Sequence, residues 1–164
     1  MKKIIITGKK KEKRKTMKKH TDDISNNDLA NIKKNFDLVN KLFMEIDFSG
    51  SSIIKSEINK KIRSYKSQDI KKTRLDKEKF ITYDYVLEQM IVCKMNCYYC
   101  KDNMKVLYTD KRDNKQWTVD RVENHLGHNL GNIVISCIEC NLKKRRQDSE
   151  KFKFSKQMRL IKSN

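Results

Sequence analysis

Apolar residues recur at steps of three and four through the first part of the chain, then alternate with polar ones further on. Leu29, Ile32, Phe36, Val39, Phe43 and Ile46 form one such stripe. The spacing predicts a helix over 26–47, with Ser25 as its N-cap and Asp28 three positions on as a loose capping box. Phe48-Ser49-Gly50-Ser51-Ser52 reads as a turn. Ile54, Ile58, Ile62 and Tyr65 make a second, shorter helical face, and the polar stretch 67–78 reads as a linker. A third helix is predicted from Thr82, an acceptable N-cap, with Tyr83, Val86, Leu87, Met90 and Ile91 as its buried stripe.

After residue 92 the helical period is lost. Lys105-Val106-Leu107-Tyr108-Thr109 is expected to be a short strand, and Trp117-Thr118-Val119-Asp120-Arg121-Val122 a second, rich in β-branched and aromatic residues. The segment 124–131 reads as a loop and Asn132-Ile133-Val134-Ile135-Ser136 as a third strand. A basic helix is expected from Glu139, and Phe152, Phe154, Met158 and Ile161 are expected to close an amphipathic segment.

Composition sharpens this outline. Of 164 residues, 39 are Lys or Arg and 21 are Asp or Glu, a formal charge of +18. Such a field favours polyanionic partners, DNA or RNA, and helps bring them in. The most basic stretch, Lys9 to Lys15, has no apolar residue to insert into a bilayer, so a membrane is not expected as partner. Residues 1–23 read as a disordered basic arm that adds salt-sensitive affinity for phosphate. No apolar run approaches the roughly 18 residues a spanning helix needs. Ile4–Ile6 is too short for the core of a secretory signal, so an intracellular protein with reduced thiols is expected, nuclear or cytoplasmic being left open.

In that setting cysteine pairs read as metal ligands. Cys97-Tyr98-Tyr99-Cys100 and Cys137-Ile138-Glu139-Cys140 are two C-x2-C knuckles with 36 residues between them. Two such pairs complete a tetrahedral all-sulfur site, and soft thiolates in that arrangement select Zn2+. Four thiolates leave no open position, so the zinc is expected to be structural, holding together a unit with little core of its own. Cys93 reads as a buried free thiol on the helix before the first knuckle.

The stretch between the knuckles carries more. Trp117-Thr118-Val119-Asp120-Arg121-Val122, then Gly127-His128, Asn132-Ile133-Val134, and Cys137-x-x-Cys140-Asn141-x-Lys143-Lys144 resemble an HNH-family endonuclease, in the version whose zinc knuckles bracket a ββα-metal finger. The resemblance spans about 93–147, near a third of the chain. It implies an α+β fold: a helical region over 24–78 follows the arm and precedes a small zinc-stabilised finger within 79–164. It also implies metal-dependent hydrolysis of DNA phosphodiester bonds. A catalytic Mg2+ or Mn2+ would be held at the positions matching Asp120 and Asn141, because a hard cation takes oxygen ligands and stabilises charge on the leaving oxygen. Asn132 matches the residue that holds the loop bearing the base.

One position departs from the pattern. Where the family has its first histidine, this chain has Arg121, which has no acceptor and cannot act as a base. Arg121 could instead clamp the phosphate. The base then falls to His128 or His125, with His128 preferred because it lies deeper in the loop that returns to Asn132. Lys143, Lys144, Arg145 and Arg146 are expected to meet the DNA backbone. Two alternatives come with this reading. One is a catalytically silent, zinc-stabilised nucleic-acid binder, favoured by Arg121; the other is a zinc-ribbon adaptor for protein. Oligomeric state is left open.

Overall fold

The computed structural model describes residues 32–158 apart from 109 and 111, so the expected basic arm over 1–23 lies outside the described residues. The architecture is α+β. Its elements are α1 (Ile32–Phe43), α2 (Ser51–Lys71), α3 (Tyr83–Val92), β1 (Trp117–Arg121), β2 (Ile133–Cys137), α4 (Ile138–Lys144) and α5 (Ser149–Gln157).

The predicted first helix is realised as α1, and its portion before residue 32 is not described. It stops earlier than the stripe suggests. Glu45 takes φ 56°, and the Ile46 N–H reaches back to the Lys41 carbonyl at 2.9 Å, a left-handed C-cap made without glycine. Phe43 and Ile46 are consequently exposed, while Asn35, Val39 and Leu42 face inward.

The second helix corrects the reading of 67–78 as a linker. α2 runs to Lys71, and Asp69 in its last turn is buried. Ile54, Ile58, Ile62, Tyr65 and Asp69 follow one another at steps of four, four, three and four, so the buried face simply continues into an acidic residue. Thr73 at φ 54° ends the helix, with the Arg74 N–H bonded to the Asp69 carbonyl at 2.9 Å. α3 begins where expected: Thr82 caps it, its hydroxyl accepting from the Tyr85 N–H at 3.2 Å.

β1 and β2 pair antiparallel with Val119 opposite Ile135. α4 packs on both strands, completing a ββα unit. The expected strand at 105–109 does not form. Lys105 makes an isolated bridge to Gln116, and Val106 instead donates its N–H to Asn35 Oδ1 (2.8 Å) while its carbonyl accepts from the Trp117 indole (3.2 Å). This segment buries Val106, Leu107 and Tyr108 without a neighbouring strand. At the far end α5 buries Phe152 but leaves Phe154 and Met158 exposed, against the expectation of a closed apolar stripe; Ile161 lies outside the described residues.

One core joins the helices to the ββα unit. Val39 and Leu42 of α1, Ile54 and Ile58 of α2, and Val86, Leu87 and Met90 of α3 share it with Trp117, Val119, Ile133 and Ile135. Each such side chain contributes roughly 1.5–3 kcal/mol on burial.

Candidate functional site

The two knuckles converge. The four sulfurs of Cys97, Cys100, Cys137 and Cys140 lie within 4.8 Å of one another. Cys100 Sγ and Cys137 Sγ are 4.0 Å apart, close to the ~3.8 Å expected between thiolates around a tetrahedral zinc. Backbone amides already point at sulfur: Cys137 N–H to Cys97 Sγ (3.3 Å) and Cys140 N–H to Cys137 Sγ (3.4 Å). The four cysteines are thus placed to hold a metal ion, and the all-sulfur set fits structural zinc. Cys93 stays outside the cluster, its thiol donating to the Met90 carbonyl, and burial pushes its pKa up to about 11.

The cluster sits at a junction that matters. Cys137 is both the last residue of β2 and the N-cap of α4. The Tyr98 N–H is bonded to the Ile135 carbonyl at 3.0 Å, which ties the first knuckle to β2. Cys140 lies in α4, and the next residue is Asn141, so the thiol cluster fixes where that amide stands.

Asn141 spends both amide protons locally, on Thr118 Oγ1 (3.1 Å) and the Val119 carbonyl (3.2 Å). A carbonyl only accepts, so the nitrogen must face β1 and Oδ1 must face away. Asp120 sits beside it on the same strand. Its Oδ2 accepts from Tyr99 Oη (2.7 Å) and lies 3.3 Å from Lys144 Nζ, while Oδ1 accepts the Arg121 N–H (2.9 Å). Burial and the Asp120 charge push the Tyr99 pKa well above the usual phenol range, so it remains a donor.

These contacts share one edge of the sheet. Trp117, Val119 and Arg121 turn their backbone groups away from β2, and six of those groups find partners. The Trp117 N–H bonds to the Lys105 carbonyl and its carbonyl to Lys61 Nζ. The Val119 N–H goes to Tyr65 Oη (3.0 Å) and its carbonyl to Asn141. The Arg121 N–H goes to Asp120 and its carbonyl to Lys144 Nζ (2.7 Å). Side chains, mostly from α2 and α4, take the place of a third strand.

Lys144 is the clearest correction to the sequence reading. It was expected to face DNA, yet it is 0 % exposed and lies between Asp120 and the Arg121 carbonyl. The physical reason is that a buried carboxylate requires a cation. Arg145 and Arg146 remain on the surface, as does Lys143, which pairs with Glu139.

His128 joins the same edge through α2. Its ring stacks on Tyr65 with centroids 4.6 Å apart. Its Nδ1 is 3.0 Å from both Asp69 oxygens, and its backbone N–H donates to Asp69 Oδ2 at 2.7 Å. Burial pulls the His128 pKa below the usual imidazole value, against the opposing pull of Asp69. The ring is then neutral near pH 7, Nδ1–H points at Asp69, and Nε2 keeps the lone pair. His125 stands apart, its side chain 74 % exposed and 3.6 Å from Glu123.

Asn132 fastens the loop that carries His128. It donates to the carbonyls of Glu123 (3.2 Å) and Gly127 (2.9 Å) and accepts the Glu123 N–H (2.8 Å). The same loop is laid on the segment before α3, with Ile81 N–H on the His128 carbonyl and Leu130 N–H on the Lys79 carbonyl. Arg121 reaches Leu126 in this loop, donating from NH1 to its carbonyl at 3.1 Å.

The structure therefore gathers Asp120, Asn141, Arg121, Asn132 and His128 around the open flank of β1, and leaves His125 out. Sequence reading missed Asp69, Tyr65 and Tyr99. A signal for Asp69 existed: it falls on the apolar stripe of α2, where an unpaired acid would be costly. Comparison with protein-family models, curated proteins and solved structures finds no match to this chain.

Proposed function

We propose that the chain is a zinc-stabilised endonuclease of HNH type, hydrolysing phosphodiester bonds in DNA. The observation that carries the proposal is the His128–Asp69 pair on the flank shared by Asp120 and Asn141. A neutral imidazole, held by a carboxylate at one nitrogen, presents the other as a general base. In the reaction, Nε2 takes a proton from water, the water oxygen bonds to phosphorus, and the bond from phosphorus to the leaving sugar oxygen breaks. A hard divalent ion, Mg2+ or Mn2+, would be held by Asp120 Oδ1 and Asn141 Oδ1 and would supply positive charge at the phosphate. The donor set suits such an ion, because Asn141 aims its amide oxygen away from the strand while Asp120 Oδ1 carries a single backbone N–H. Lys143, Arg145 and Arg146 on the surface, with the net charge of +18, supply contacts to the backbone of the duplex.

A nicking assay on supercoiled plasmid with Mg2+ or Mn2+ tests the reading. Cutting that needs the ion, and is lost in Asp120→Ala, Asn141→Ala and His128→Ala, supports it. Tight binding by folded wild-type protein with no cutting in either ion would overturn it. That outcome would leave the second reading, a silent nucleic-acid binder, which the Lys144 ammonium beside Asp120 favours because it already neutralises the carboxylate.

A further inference from the structure

We infer that Arg74 and Arg121 form a two-arginine clamp for one phosphate group of a nucleic-acid backbone, reaching the His128 loop from opposite sides. The inference deepens the nuclease reading and rests on it for the substrate.

The loop 126–128 is met by three residues in turn. Arg121 bonds the Leu126 carbonyl, Arg74 abuts Gly127, and Asp69 takes His128. The Arg74 contact is tight: a Cβ built on Gly127 would lie 2.4 Å from the Arg74 carbonyl oxygen. Arg74 is also fixed by its own N–H on the Asp69 carbonyl, just past the end of α2. Two guanidinium groups are thereby brought to one short loop. The charge of Arg74, together with burial, pulls the Arg121 pKa below its usual value, as expected of like charges held close.

The nearby acids do not answer this charge. Asp69 directs both oxygens at His128, and Asp120 is engaged by Tyr99 and Lys144. Among the described residues neither arginine has a carboxylate within ion-pair distance, and the guanidinium of Arg74 has no hydrogen bond. Two half-buried cations without an anion, beside an imidazole with a free lone pair, call for an anionic ligand. Forked N–H donors match the oxygens of a phosphodiester. The clamp also gives Arg121 a task at the position where a base is missing.

The test uses the full chain, zinc-loaded, with a short DNA duplex and Ca2+ in place of Mg2+. Binding is followed by fluorescence anisotropy across a potassium chloride series. Arg74→Gln and Arg121→Gln should each weaken binding roughly tenfold, the size of one lost charge-assisted pair. The double variant should fall short of the product of the two, because both side chains hold the same group. Its salt dependence should flatten by about 0.9 in log–log slope, the value for one phosphate. Arg74→Lys, which keeps the charge but not the fork, should recover part of the loss. Two independent, multiplicative losses, or wild-type binding by the folded single variants, would overturn the clamp. Nicking by the same proteins in Mg2+ separates the two ideas. Cutting by the wild type with no binding defect in the variants removes the clamp alone, whereas a shared binding defect without any wild-type cutting removes the nuclease reading alone.

Discussion

Asp69 and His128 are 59 residues apart in the chain, yet Nδ1 of the imidazole lies 3.0 Å from each oxygen of the carboxylate. The acid comes from the last turn of α2 and the base from the loop between the strands. The helical region is thus part of the candidate site, not only a neighbour of it.

Replacing Asp69 by Asn should lower the rate by about 10- to 100-fold, the usual loss when the partner of a working imidazole is removed. The acid limb of the pH–rate profile is expected below 6.5 in the wild type, because burial depresses the His128 pKa from that value. Asp69 opposes that depression, so Asp69→Asn should carry the limb to still lower pH. A rate loss with an unmoved limb would mean that the carboxylate merely supports the fold.

The same shift makes stability depend on pH. The folded pKa of His128 lies below the unfolded one, so below about 6.5 the unfolded chain gains a proton that the native state resists. The stability that neutral His128 supports is present above the unfolded pKa and declines as pH falls towards the folded one. Urea midpoints measured from pH 7 to pH 5 should fall, and His128→Gln should flatten that fall. An identical slope in the variant would contradict the assignment.

Gly127→Ala should cost about 1–3 kcal/mol, since its methyl would overpack a fixed site. The added carbon would stand 2.4 Å from the Arg74 carbonyl and 3.0 Å from Asp69 Oδ2, and the first of these is backbone that cannot swing aside. A thermal melt at wild-type temperature would show that the loop yields without strain.

Lys144→Ala should destabilise by about 3–5 kcal/mol, as for any buried pair stripped of one partner. It strands the Asp120 carboxylate and the Arg121 carbonyl together. Adding Asp120→Asn should recover part of the loss, and a double-mutant cycle by denaturant unfolding reads the coupling. Additive effects would show that the two charges act independently.

Chelation of the sulfur-bound ion, or Cys137→Ser, should unfold the ββα unit, because binding free energies of order 10 kcal/mol support such small folds. Circular dichroism unchanged by the chelator would refute this.

Much of this arrangement is legible in the sequence, and the exceptions have physical causes. The two knuckles, Thr82 as a cap and the paired strands are written locally, in spacing and alternation. The partners of the site are not, because they depend on which distant helix meets the flank of β1. Asp69 looks like linker until the stripe from Ile54 is extended past Tyr65. Lys144 looks like one more surface cation in a basic run, and only the buried Asp120 beside it decides otherwise. The segment at 105–108 has strand-like residues but no strand beside it to pair with, so its apolar side chains are buried without a ladder.

The open flank of β1 has a further consequence. A bare two-stranded ribbon invites a foreign chain to dock along it, and here the plug is made from the same amide that faces the chemistry and the ammonium beside it. Stripping Asn141 or Lys144 therefore uncovers adhesive backbone while it disables the site, so inactive versions of this protein should also be the ones that clump. Solubility and competence are maintained by one set of side chains.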